Sequence, residues 1–149
     1  MDEKELKKEL EKWEREIVRD PENAEAYFRK GNVLYYLGKK KETLCTYDKS
    51  LKLNPNNENT YCNIGLVLDD LGKKEEALES YNKALKINPN NENAYCNRGI
   101  VLSALGRKEE ALDSYDKALK INPNNENAYC NIGLVLDDLG KKEEALESY

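Results

Sequence analysis

The chain has 149 residues, 36% of them charged, with a formal net charge of −5 and no histidine. The acidic balance argues against a general nucleic-acid or anionic-membrane surface, either of which needs clustered Lys/Arg, and the missing imidazole excludes a Cys–His nucleophile. No apolar run approaches the roughly 20 residues needed to span a bilayer.

The start, MDEKELKKELEKWERE, is charged throughout and has no signal-peptide apolar region, so nothing in it directs secretion, and a cytoplasmic location is expected. Leu6, Leu10, Trp13 and Ile17 follow one another at steps of four, three and four, which predicts a helix with a narrow apolar stripe. Asp20-Pro21 ends it, because the residue before proline is pushed out of the α region. Residues 1–23 thus read as an N-terminal capping helix and linker.

Beyond them the chain repeats with a period of 34 residues. Glu58–Asn91 and Glu92–Asn125 match at 26 of 34 positions, and Glu58–Tyr81 differs from Glu126–Tyr149 only at Thr60 against Ala128. Self-similarity at this period signals an array of small units that stack because none can bury its apolar face alone. The units run 24–57, 58–91 and 92–125, with a fourth, truncated one at 126–149. The first helix is in register with them: adding 34 to Leu10, Trp13, Ile17 and Pro21 gives Leu44, Tyr47, Leu51 and Pro55. Near-identity of the units fits either a recent duplication or consensus-style engineering.

Each unit holds two helical patterns. Tyr61, Ile64, Gly65, Val67, Leu68 and Leu71 keep helical spacing, and so do Ala77, Leu78, Tyr81, Ala84, Leu85 and Ile87. Gly72 suits the left-handed cap that closes the first helix. Asn88-Pro89 stops the second, and the following asparagines and Glu92 prepare the next N-terminus. A turn this short forces the two helices antiparallel. Gly65 sits inside the first helix, where glycine costs about 0.5–1 kcal/mol relative to alanine. Its counterparts are Gly31, Gly99 and Gly133, and the small Ala77 and Ala111 opposite predict close contact between the helices of a hairpin.

On these residues the chain resembles the tetratricopeptide repeat family. Its signature positions are filled in phase by Tyr27, Tyr61, Tyr95 and Tyr129; by the four glycines; by Thr43, Ala77, Ala111 and Ala145; by Tyr47, Tyr81, Tyr115 and Tyr149; and by Pro55, Pro89 and Pro123. Lys30 and Arg98 depart from it, standing where Ile64 and Ile132 supply an apolar residue. The resemblance implies an all-α, right-handed superhelical solenoid of antiparallel helix-turn-helix hairpins.

Cys62, Cys96 and Cys130 recur once per unit. Neighbouring helices pack with axes about 8–10 Å apart, whereas a disulfide needs Cα atoms within ~7 Å, so neither bridges nor a shared metal site are expected. Free thiols, no catalytic constellation, no metal and no cofactor follow.

The recurring polar residues point elsewhere. Asn59/Asn63, Asn93/Asn97 and Asn127/Asn131 are i,i+4 pairs sharing one face with Leu66, Ile100 and Leu134 and with Asp69, Ser103 and Asp137. The resemblance makes this the concave face, on which family members bind extended peptides. Asn63, Asn97 and Asn131 coincide with an asparagine ladder known in the family, with Arg29 in place of a fourth rung. Asn32 and Asn63 fill the asparagine places of the family's carboxylate clamp, but Phe28, Asn93 and Asn97 stand where its cations belong. The expected site is therefore Asn32, Asn59, Cys62, Asn63, Leu66, Asp69, Asn93, Cys96, Asn97, Ile100, Asn127 and Asn131. Its expected ligand is an extended protein segment, with Asp69, Asp70, Asp137 and Asp138 favouring a cationic one. The competing reading is an idealised scaffold without an evolved ligand, self-associating through an apolar C-terminal patch of Leu136, Leu139, Leu146 and Tyr149.

Overall fold

The computed structural model describes residues 1–147, and for 142–147 the backbone alone. Eight helices account for it: α1 (Glu3–Arg19), α2 (Ala24–Tyr36), α3 (Lys40–Leu53), α4 (Glu58–Asp70), α5 (Lys74–Ile87), α6 (Glu92–Ala104), α7 (Lys108–Ile121) and α8 (Glu126–Glu147). They form the all-α, right-handed solenoid that the resemblance implies. Hairpins α2/α3, α4/α5 and α6/α7 stack in order, and α1 covers α2.

Local chemistry sets the ends of these helices. Asp2 and Glu5 form a reciprocal capping box on α1, and Asp20 is its extended C-cap, as the following proline requires. Asn23, Asn57, Asn91 and Asn125 each accept a backbone N–H from the first turn of the next helix. After α4 the chain closes in a Schellman motif. Gly72 takes φ +78°, its N–H donates to the Asp69 carbonyl at 2.9 Å, and the Lys73 N–H donates to the Leu68 carbonyl at 2.8 Å.

Packing inside a hairpin differs in one respect from the small-against-small contact expected of Gly65 and Ala77. The residue lying against Gly31, Gly65 and Gly99 is the tyrosine of the facing helix. A Cβ placed on Gly65 would fall 2.6 Å from ring carbons of Tyr81, and one on Gly99 2.5 Å from the Tyr115 ring. Ala77 and Ala111 are fully buried, and they supply closeness around the ring rather than at the glycine. Tyr47, Tyr81 and Tyr115 are the largest fully buried side chains. A continuous cluster then runs from Leu68 through Leu78, Tyr81, Val101, Leu102 and Tyr115 to Val135, so the core is a ribbon threaded between units. Lys30 is accommodated at the edge of the ribbon, half-buried, with its ammonium 3.7 Å from Glu14.

The last unit departs from the pattern. A turn is expected at Gly140, the counterpart of Gly72, yet α8 runs unbroken from Glu126 to Glu147. Nearly the same 22 residues, Glu58–Glu79 and Glu126–Glu147, thus make the turn of a hairpin in one place and a straight helix in another. The physical difference is tertiary: α5 packs against α6 behind it, whereas α8 has only α7 and α6 as neighbours among the described residues. A glycine permits a turn, but packing of the second helix is what stabilises it. The side chains of Ala145 and Leu146, and Tyr149 altogether, lie outside the described residues.

Replacing Gly65 by leucine forces either Tyr81 or the helix axis to move. Gly65→Leu is expected to lower unfolding stability by about 1–3 kcal/mol or more, read as a reduced urea midpoint. An unchanged midpoint would remove the ring-on-glycine contact from the account of the core.

Candidate functional site

The first helices of the units form the inner row of the solenoid. α4 touches α6 and α6 touches α8 directly, while no pair of second helices comes comparably close among the described residues. The shorter spacing marks the concave side. Asn32, Asn63, Asn97 and Asn131 stand half-buried along this row, and Asn59, Asn93 and Asn127 are exposed in the first turns. Leu66 and Ile100 are 37% and 43% exposed, unusually open for aliphatic residues on a repeating surface. Asp69 is half-buried.

A concavity lies between units one and two. It is a cleft of about 150 Å³ lined by Asn32, Tyr35, Tyr36, Tyr47, Asn63 and Leu66. Asn32 Oδ1 organises it by accepting the Tyr47 hydroxyl at 2.6 Å and the Asn63 amide at 3.1 Å. Both donors are drawn from other helices, so this one oxygen ties α2 to α3 and to α4. Tyr35 donates to Asp70 Oδ2 at 2.6 Å, and that hydrogen bond to a carboxylate, followed by partial burial, pushes its phenol up to about 12. Tyr36 meets Tyr35 edge-on with ring centroids 5.7 Å apart and remains 73% exposed. Tyr35 and Tyr36 were absent from the residues expected from sequence, although the period contains the signal: adding 34 gives Asp69 and Asp70, the acids already placed on this face.

Two of the expected site residues, Cys62 and Cys96, are buried rather than open. Cys62 and Cys96 are 8% and 7% exposed. Asn91 Nδ2 lies 3.6 Å from Cys62 Sγ, and Asn125 Nδ2 lies 3.4 Å from Cys96 Sγ. Asn91 and Asn125 therefore use the side-chain oxygen for their own helix and the amide for the preceding unit. Once that asparagine and the alanine beside it are in place, the thiol is covered, which is why a ligand on the concave face would not meet it. Burial, reinforced by Glu58, pushes the Cys62 thiol up to about 11. Cys45 and Cys130 are exposed.

The carboxylates of the face have partners within the chain. Asp69 pairs with Lys74 at 2.6 Å, Asp138 with Lys108 at 3.2 Å and Asp137 with Lys141 at 3.9 Å, while Asp70 accepts from Tyr35. Asn97 and Asn131 are placed differently from Asn63. The residue one unit back, in Asn32's place, is Leu66 or Ile100, which cannot accept a hydrogen bond, so these two amides keep their capacity for a ligand.

A solenoid of paired antiparallel helices, with polar and apolar side chains alternating along a concave row, defines a helical-repeat interaction protein. More narrowly, the chain belongs to the tetratricopeptide repeat family: a model described as TPR repeat matches residues 31–72 and 68–106, and models described as Tetratricopeptide repeat match 92–125 and 114–147. No curated protein sequence matches it significantly. Among solved structures it is similar to the first TPR of Spaghetti (RPAP3) bound to the HSP90 peptide SRMEEVD, at 29% identity and a TM-score of 0.76, covering 81% of this chain and 96% of that one. It is also similar to YrrB, described as a TPR protein with an unusual peptide-binding site, at 27% identity and a TM-score of 0.75, covering 97% and 74%. MamA shares the fold at 23% identity and a TM-score of 0.81, covering 93% and 81%. No helix among the described residues is long and apolar enough to cross a membrane.

Two measurements check this geometry. In the native chain at pH 8, a thiol reagent should label Cys45 and Cys130 quickly and Cys62 and Cys96 only on unfolding, because buried thiols with raised pKa present little thiolate. The tyrosines should also divide: Tyr47→Phe removes the donor to Asn32 and is expected to cost about 0.5–1.5 kcal/mol, whereas Tyr81→Phe should be neutral or stabilising. The Tyr81 hydroxyl is buried without a hydrogen-bond partner. Equal losses for the two variants in urea melts would contradict these assignments.

Proposed function

We propose that the chain is a non-catalytic protein-interaction scaffold that holds an extended peptide along the concave row, with Asn63, Asn97 and Asn131 reading the peptide backbone. The observation that carries this reading is the linked pair Asn32 and Asn63, joined at 3.1 Å at the floor of a cleft walled by Tyr35, Tyr36 and Leu66. With Asn32 Oδ1 occupied twice over, its amide nitrogen and the Asn63 carbonyl oxygen remain for a ligand's C=O and N–H. Leu66 and Ile100, between successive asparagines, offer apolar contact to side chains on alternate sides of an extended segment. Similar chains bind peptides: one of the related structures holds an HSP90 peptide, and YrrB is described as having a peptide-binding site.

The chemistry favours an uncharged stretch of ligand over a terminal carboxylate. Phe28, Asn93 and Asn97 provide no cation where the family's clamp would need one. The cationic preference expected from the four aspartates is weakened in turn, because each already has a lysine or tyrosine partner. Recognition by neutral amides and aliphatic surface should be insensitive to salt, since few counterions are displaced or screened. Free thiols on such a scaffold suit a reducing compartment such as the cytoplasm.

Selection from a displayed library of extended peptides, followed by titration of the winners, tests the reading. Asn97→Ala with Asn131→Ala is expected to weaken them by about 5- to 100-fold, the loss of two hydrogen bonds, while affinity changes little between low and high salt. Affinity untouched by the double substitution would take the ladder out of the mechanism. A steep salt dependence would restore a charged ligand.

A further inference from the structure

Unit one departs from its near-copies in charge. Residues 24–57 carry seven Lys/Arg against three Asp/Glu, whereas residues 58–91 carry four against six and residues 92–125 five against five. Part of the excess lies on one face of the second helix. In α3, Lys41, Cys45 and Lys49 follow one another at i,i+4 and share that face; the matching stripe is Glu75, Glu79 and Lys83 in α5 and Glu109, Asp113 and Lys117 in α7. A stripe that is net acidic in units two and three is therefore cationic in unit one. In the structure it borders a groove of about 320 Å³ lined by Lys30, Lys41 and Lys49 together with Leu34, Glu42, Cys45 and Thr46. Lys30 stands where unit two has Ile64, and its side chain is 26% exposed, with Glu14 of α1 at 3.7 Å. Lys41 and Lys49 are exposed, and among the described residues neither has a carboxylate within 4 Å. In α7 the matching Lys117 is paired with Asp113 at 3.1 Å, and Cys45 holds that place beside Lys49. With Glu14 and Glu42 counted, the groove still keeps a positive charge in a chain of net charge −5. Nor does its openness come from an end of the chain. The α5 stripe, with a whole unit on either side, is exposed in the same way at Glu75, Glu79 and Lys83. This is a solvent face in every whole unit, and what changes is its charge.

We infer that this groove, on the outer row of the solenoid, is a docking surface for an acidic protein segment. Charge complementarity selects the occupant. Lys41 and Lys49 are two turns apart, about 12 Å along the helix, a span matched by carboxylates two turns apart on a helix or about four residues apart in an extended segment. Lys30, half-buried beside Leu34, gives a third charge that water screens less than the other two. A nucleic acid fits less well, because its backbone needs cations over many phosphates, and the neighbouring stripe offers Glu75 and Glu79 instead. A second copy fits less well too, since two chains of net charge −5 repel each other. The groove shares no residue with the concave row, so the two readings stand or fall separately.

The probe is fluorescein-labelled octaglutamate, titrated with the full chain at low ionic strength and followed by anisotropy, with labelled octaglutamine as the neutral control. Saturable binding of one octaglutamate per chain, weakened by added salt, is expected, and none of octaglutamine. Lys41→Glu with Cys45→Glu gives α3 the stripe that α5 already carries, so the helical spectrum and thermal midpoint should be kept while affinity falls by about fivefold or more. Lys49→Gln, which only removes a charge, should weaken binding in the same direction and keeps the test open should the pair disturb the fold. The charge-matched pair Asn82→Glu with Lys86→Glu, on α5, should change affinity by less than about twofold. Absence of saturable binding, or equal losses for the two pairs, would overturn the inference, the latter by assigning attraction to net charge. So would octathymidylate binding more tightly than octaglutamate, since phosphate would then be the ligand. A concentration-dependent dimer that the α3 pair abolishes in sedimentation would overturn it as well, by giving the groove to a second copy.

Discussion

A tyrosine ring resting on a helix glycine is the contact on which the rest of this solenoid depends. The glycine weakens its own helix by about 0.5–1 kcal/mol relative to alanine, and the absent side chain leaves the space that the ring of Tyr47, Tyr81 or Tyr115 occupies against the facing backbone. The ring is then fully buried and fixes the distance between the two helices of a hairpin. It sits in the same cluster as the leucines that join one unit to the next. Hairpin geometry and stacking geometry therefore share one residue, and an error there would be repeated along the array.

From that spacing follows the geometry of the inner row. First helices brought close along the inner row carry their polar positions into a line, and the line is not uniform. At its N-terminal end Asn32 gathers Tyr47 and Asn63 around one oxygen, and Tyr35 and Tyr36 wall the cleft beside them. Further along, Leu66 and Ile100 replace Asn32, the buried tyrosine hydroxyl of unit two loses its acceptor, and the amides of Asn97 and Asn131 have no acceptor in Asn32's place. A set of near-copies thereby acquires direction: an aromatic, hydrogen-bonded end and an aliphatic, amide-studded end.

The recurring cysteines illustrate how a repeated residue can serve the array. Cys62 and Cys96 lie under the N-cap asparagines of the next units, so the same amide side chain that starts a helix also spans the joint behind it. Recurrence in phase is as strong for a joint residue as for a binding residue, and the period alone does not distinguish them. Burial does: an asparagine at the inner row keeps a surface, whereas Cys62 and Cys96 are closed over.

What the sequence determined by itself is what local chemistry and periodicity encode. The 34-residue repeat, the Asn-Pro stops, the asparagine caps, the Gly72 turn and the apolar spacing are each a matter of neighbouring residues, and together they define the units, the fold class and the inner row that carries the asparagines. Only the tertiary structure decided what meets across helices. It assigned the glycine's partner to Tyr81 instead of Ala77, covered Cys62 and Cys96, joined Asn32 to Asn63 and brought Tyr35 to Asp70, contacts between residues 15 to 35 positions apart that no local pattern specifies. It also gave nearly identical segments two shapes, a hairpin at Glu58 and a straight helix at Glu126. The glycine that permits a turn is present in both, but among the described residues only the first segment has a following helix, α6, packed against its second half.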